Sequence, residues 1–135
     1  MAILIYQTDS GRVPGLEYLP SGAITPKTGM ALKLTAGKLA VAAGADTPLY
    51  LSMTERSKAC TAGELIPVIR AAADIIFETE APAGFTAAVG DKVQLKIDGC
   101  GLSAAAGGPA EIVYTDSERT RFRLGKTEAA ASTAQ

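Results

Sequence analysis

The chain has 135 residues, enough for one domain whose core needs neither a disulfide nor a metal staple. Thirteen basic and fourteen acidic residues leave a net charge of −1, which removes the electrostatic basis for binding nucleic acid or an anionic membrane. No His is present, so a zinc site would lack its usual nitrogen ligand and a Ser or Cys nucleophile its usual base.

Apolar residues reach 47%, yet aromatics are only 5% and Trp is absent, because much of the apolar content is Ala. Such small side chains suit close packing against another copy or another protein, and they equally suit an Ala-biased genome. Cys60 and Cys100 lie too far apart for a metal knuckle. They read as free buried thiols in a reducing cell, or as one disulfide. "MAILIYQTDSGR" lacks a basic n-region, and its apolar run is too short for a signal peptide. No stretch approaches the roughly 20 apolar residues of a transmembrane helix. The expectation is a product made and folded in the cytoplasm.

Residues 1–27 carry Pro14, Pro20 and Pro26 with Gly11, Gly15 and Gly22, a density that breaks regular elements. Only "AILIY" reads as a short strand there. The segment is expected to be an extended arm lying on its own domain or on a neighbour, with Leu16, Tyr18 and Leu19 as anchors. From Gly29 the period changes to two. "MALKLT" places Met30, Leu32 and Leu34 on one face, and Leu39 and Val41 continue it beyond an Ala36-Gly37 turn, which predicts a hairpin. "PLYLSM" alternates with Leu49, Leu51 and Met53 inward. "TERSKACTAG" reads as a loop, or as one helical turn capped by Thr54.

"GELIPVIRAAADIIFETE" combines an Ala run with β-branched residues. Pro67 would break a helix interior, and Ile66, Val68, Ile69, Ile75 and Ile76 favour a pleated surface. The stretch therefore predicts two strands joined at Ala71-Ala72-Ala73, with Ile75 and Phe77 inward and Pro67 at an edge or bulge; a single helix is the alternative. "DKVQLKID" predicts a strand with Val93, Leu95 and Ile97 inward, bounded by Gly90-Asp91 and Asp98-Gly99. "EIVYT" and "RTRFRL" predict a last hairpin around Asp116-Ser117-Glu118. The tail "GKTEAAASTAQ" has no large apolar residue and is expected to be disordered. Together these elements predict an all-β fold, a compact small barrel or sandwich over 28–125, with an arm at 1–27, a tail at 126–135 and little helix.

Motifs for chemistry are decoys. "GCGLSA" fits a dinucleotide fingerprint, but Gly107-Gly108-Pro109 ends any helix starting at Leu102, so its glycines read as a turn. Ser57-Lys58 sits in a polar loop, and the carboxylates Glu78/Glu80 and Asp116/Glu118 read as wet strand faces. No enzyme activity, cofactor or metal is expected. Arg119, Arg121 and Arg123 share one strand face, opposite Phe122 and Leu124. They either dock on an acidic partner or pair with the protein's own Asp74, Glu78 and Glu80.

The order of features from Pro48 to Leu124 resembles a group of small proteins of tailed bacteriophages and prophages: a strand with Ser52-Met53, then "GELIPVIR", then "DIIFET", "VGDKVQL" and "EIVYT...RTRFRL". Members are encoded in head-gene clusters near the major capsid protein and are taken to be capsid decoration, or cement, proteins. The resemblance implies a non-catalytic β-domain on the exterior of the virion capsid, with the major capsid protein as partner and a homo-oligomer, commonly a trimer, as its state. A tail or baseplate component, or a stand-alone ligand-binding barrel, is the alternative. The resemblance supplies no contact residues. Physical reasoning selects the arm residues Ile3, Ile5, Tyr6, Leu16, Tyr18 and Leu19, with Arg119, Arg121 and Arg123, since an extended segment can add a strand to a neighbouring sheet.

Overall fold

In the computed structural model, which describes residues 3–9, 11, 15–72 and 74–124, the regular structure of those residues is entirely β-strand. In chain order the strands are β1 (Leu4–Thr8), β2 (Leu16–Pro20), β3 (Ala31–Thr35), β4 (Lys38–Val41), β5 (Tyr50–Ser52), β6 (Leu65–Arg70), β7 (Ile75–Glu80), β8 (Lys92–Leu95), β9 (Leu102–Ala106), β10 (Ala110–Thr115) and β11 (Arg119–Leu124). They build two antiparallel sheets, one ordered β1-β7-β11-β10-β8-β9 and the other β2-β6-β5-β3-β4. The all-β expectation holds, in its sandwich form.

Alternation explains the core between the sheets. Ile75 and Phe77 of β7, Phe122 and Leu124 of β11, Ile112 of β10 and Val93 and Leu95 of β8 point inward from the six-stranded sheet. Ala31, Leu51 and Ile69 meet them from the other sheet. Phe77 and Phe122 pack at a ring separation of 5.9 Å. The five-stranded sheet also buries its opposite face, where Met30, Leu32, Leu39, Tyr50, Ile66 and Val68 pack with Cys60, Ile24 and Cys100. Strand β5 is consequently buried on both sides. Both cysteines are free thiols.

The sheets are joined along one side. Gly44 and Leu95 exchange both backbone hydrogen bonds, and Ala31 N–H donates to the Gly99 carbonyl at 2.8 Å. Gly99 has φ +73°, and a Cβ there would stand 2.9 Å from Val41 Cγ1, so only glycine fits this joint. The five-stranded sheet curls until Ser21 bridges Leu39 in parallel, but one bridge is not a ladder and the barrel does not close. On the opposite side of the sandwich β1 and β2 are the outermost strands of their sheets.

Several expectations are refined or corrected. "GELIPVIRAAADIIFETE" does form two strands, but β6 and β7 belong to different sheets, so the Ala71-Ala72 bend is the crossover between layers. The described part of 1–27, expected as an arm, contributes β1 and β2 to the domain's own sheets. Leu49 is exposed, while Tyr50 beside it is buried. Ile97 is 90% exposed, because β8 ends at Leu95 and the chain turns through 96–101. "LSAAA" is strand β9, and the loop around Thr54 contains no helical turn. Pro67 lies inside the sheet, between β2 and β5. It is tolerated because its nitrogen faces away from β2, toward Met53 just past the end of β5, where the ladder stops. Residues 126–135 lie outside the described residues.

Candidate functional site

Two surfaces bring the expected contact residues together. The first lies on the outer face of the six-stranded sheet. In β11 the period of two turns Arg119, Arg121 and Arg123 outward, as expected. A bulge in β1 between Ile5 and Gln7 places both Tyr6 and Gln7 on the wet side, and a second bulge in β10 sets Tyr114 directly across from Arg121. The Arg121 guanidinium therefore sits between two rings, 3.9 Å from the centre of Tyr6 and 4.5 Å from that of Tyr114.

The charges on this face are matched within the chain. Glu78 accepts from Arg121 Nε at 2.9 Å and from Arg119 Nη1 at 3.1 Å. Arg123 grips Asp9 through both terminal nitrogens at 3.1 Å. Arg121, and then Arg119, hold the Glu78 carboxyl below the usual carboxylate range against the opposing pull of burial. Tyr114 donates to Asp116 at 2.9 Å, which pushes the phenol up. Of the expected internal partners, Glu78 is used by the stripe, and Arg123 takes Asp9, just past the end of β1. The stripe is an internally neutralised face, not a free basic patch.

The second surface is the β2 edge. Leu16, Tyr18 and Pro20 stand directly across from Ile69, Pro67 and Leu65 of β6. Ile69 is buried, but beyond it the shared face is open: Leu16 is 57% exposed, Tyr18 62% and Leu65 57%. With half-buried Pro67 and Pro20 they form an apolar shelf. Its reverse face carries Glu17, held by Arg70 at 3.2 and 3.3 Å, with Arg70 lying over Tyr50.

The remaining expected contacts fall elsewhere. Ile3 is 1% exposed and Ile5 packs against the same inter-sheet core, so neither is available to a partner. Leu19 points to the second core with Ile24 and Cys60. Tyr114, Asp9 and Leu65 join the surfaces without having been selected from sequence. For Leu65 the signal was present: it shares a strand face with Pro67.

Among the described residues no cluster of His, Cys, Asp or Glu has the makings of a metal site. Ser57 and Lys58 are exposed in the loop between β5 and β6. Comparison with known proteins finds no matching family model, no matching curated protein and no matching solved structure.

Proposed function

We propose that the protein is a structural component of a tailed-phage particle, seated on the outside of the capsid shell and stabilising it without catalysis. The order of features from Pro48 to Leu124 supports the phage reading. The observation that carries the binding reading is the shelf of Leu16, Tyr18 and Leu65, exposed at an outermost strand. Large apolar side chains grouped at a sheet edge mark an interaction site, because a solitary domain ordinarily protects such an edge with charge or cover. A shell repeats each contact many times, so a shelf of this modest size suffices once copies act together.

The test is sedimentation of the purified protein with heads assembled from the major capsid protein of the same phage or prophage. The wild type is expected to pellet with heads and to raise the temperature at which they open. A protein that stays in the supernatant, or that pellets with tails instead, contradicts the capsid reading.

A further inference from the structure

Backbone groups on β2 carry an inference that rests on the capsid-binding reading and specifies how contact is made. In an extended strand the N–H and C=O of one residue point to the same side, and successive residues alternate. Met53 N–H donates to the Pro67 carbonyl at 3.0 Å, so Pro67 directs its backbone groups toward β5 and away from β2. Tyr18, paired with Pro67, is thus at a non-hydrogen-bonded position of the β2–β6 ladder. Ser21 fits the same alternation: its N–H donates to the carbonyl of Glu64, the residue just before β6, and Glu17 and Leu19 share its parity. Leu16 and Tyr18 therefore turn their N–H and C=O outward, and among the described residues no strand flanks them. Pro20, which has the same outward parity, has no N–H to leave unpaired, and just beyond it Leu39 of β4 flanks Ser21.

We infer that β2 is an acceptor for strand addition, and that its occupant is an extended segment of the shell protein, a few residues long, laid along Leu16–Leu19. Its side chains on the shelf side are apolar, because they join Leu16, Tyr18 and Leu65. No charge is demanded of it by Glu17, which Arg70 already engages on the reverse face.

A second copy of β2 fits poorly in the two-fold registers centred on Tyr18 and on Glu17. Centred on Tyr18, the pairing sets the copy's Leu16 beside Pro20, about 3.3 Å along the strand from the place Leu39 occupies. Centred on Glu17, it sets two Glu17 carboxylates directly opposite each other. A foreign strand meets neither obstacle.

Hydrogen exchange at single amides tests the inference, on the free protein and on protein bound to heads. In the free protein the Glu17 and Leu19 amides are expected to be protected and the Leu16 and Tyr18 amides open. Binding to heads is expected to slow the Tyr18 amide by roughly tenfold or more. Binding with Tyr18 exchanging at its free rate overturns strand addition and leaves the capsid reading standing. Protection of Tyr18 already present in a free oligomer overturns the choice of occupant, and failure to sediment with heads overturns both readings. As a second arm, Tyr18→Ala keeps the outward N–H, whereas Tyr18→Pro removes it without breaking a bond to β6. Tyr18→Pro is expected to bind heads at least about tenfold more weakly than Tyr18→Ala. Equal affinities of the two variants also count against strand addition.

Discussion

Arg121 and Glu78 are bonded across two neighbouring strands, with Arg121 Nε 2.9 Å from Glu78 Oε2 and the guanidinium held between Tyr6 and Tyr114. One ion pair thus links the face that spans β1, β7, β11 and β10. Its carboxylate titrates below the ordinary range because Arg121 and Arg119 stabilise the charged form. A folded value below the unfolded one means stability that is fully present above the ordinary glutamate range. That stability is lost as pH falls through the lowered folded value. Thermal unfolding measured from neutral pH down to pH of about 3 should show this loss, and Glu78→Gln should show a smaller acid-dependent drop. Asp46, lowered by Lys33 and the Ala43 N–H, and Asp116, lowered by the Arg119 and Glu118 N–H groups, supply acid sensitivity that remains in that variant.

Phe77 and Phe122 are both fully buried and packed on each other at the centre of the inter-sheet core. Phe77→Ala removes a ring from a site with strands on both sides, which leaves little scope for collapse. The expected cost is about 3–5 kcal/mol in urea unfolding.

Ala36 and Gly37 form the turn of the β3–β4 hairpin with φ values of 52° and 80°, the pattern of a type I′ turn. A left-handed alanine is strained by roughly 1–2 kcal/mol, and asparagine tolerates that conformation better. Ala36→Asn should therefore stabilise the protein by on the order of 1 kcal/mol, read as a shift of the urea midpoint at unchanged slope.

Gly108 lies against β8 so closely that a Cβ would stand 2.2 Å from the Val93 carbonyl oxygen. Backbone cannot yield as a flexible side chain does. Gly108→Ala should destabilise by about 3 kcal/mol, whereas Gly63→Ala, with no atom near its Cβ position, answers only to the strain of its φ.

Much of this fold was legible in local pattern. The hairpins at Ala36-Gly37 and Asp116-Glu118, the two strands within "GELIPVIRAAADIIFETE" and the outward arginines all follow from a period of two broken by turn residues. What pattern could not show was the assignment of strands to layers. Nothing local says that β6 and β7 part company at Ala71-Ala72. Leu49 and Ile97 were misplaced because alternation was carried past strand ends at Tyr50 and Leu95. Strand β1 was legible in "AILIY", whereas β2 was hidden by Pro20, which an edge strand accepts and which ends β2 where Leu39 flanks the chain. Ala-rich β9 forms a strand because β8 pairs with it, a tertiary cause. On the site, Arg121 with Glu78 was legible, while Asp9 lies 114 residues from Arg123. Tyr114 faces outward only through a bulge that leaves no mark in sequence.

Leu65 and Tyr18 are exposed and contribute little to the folded core, so Tyr18→Ala and Leu65→Ser should leave unfolding nearly unchanged. The same variants should bind heads measurably more weakly than the wild type, with Tyr18→Ala still binding more tightly than Tyr18→Pro, because both side chains belong to the shelf. Weakened sedimentation with intact stability separates a contact role from a structural one.

Electron microscopy of the native particle tests the central proposal most directly. The expected reconstruction shows the domain on the outer face of the shell, with β2 and Leu65 turned toward the major capsid protein and Leu16–Leu19 lined by its chain. A domain found on the tail, or one whose β2 shelf faces solvent on the head, contradicts it.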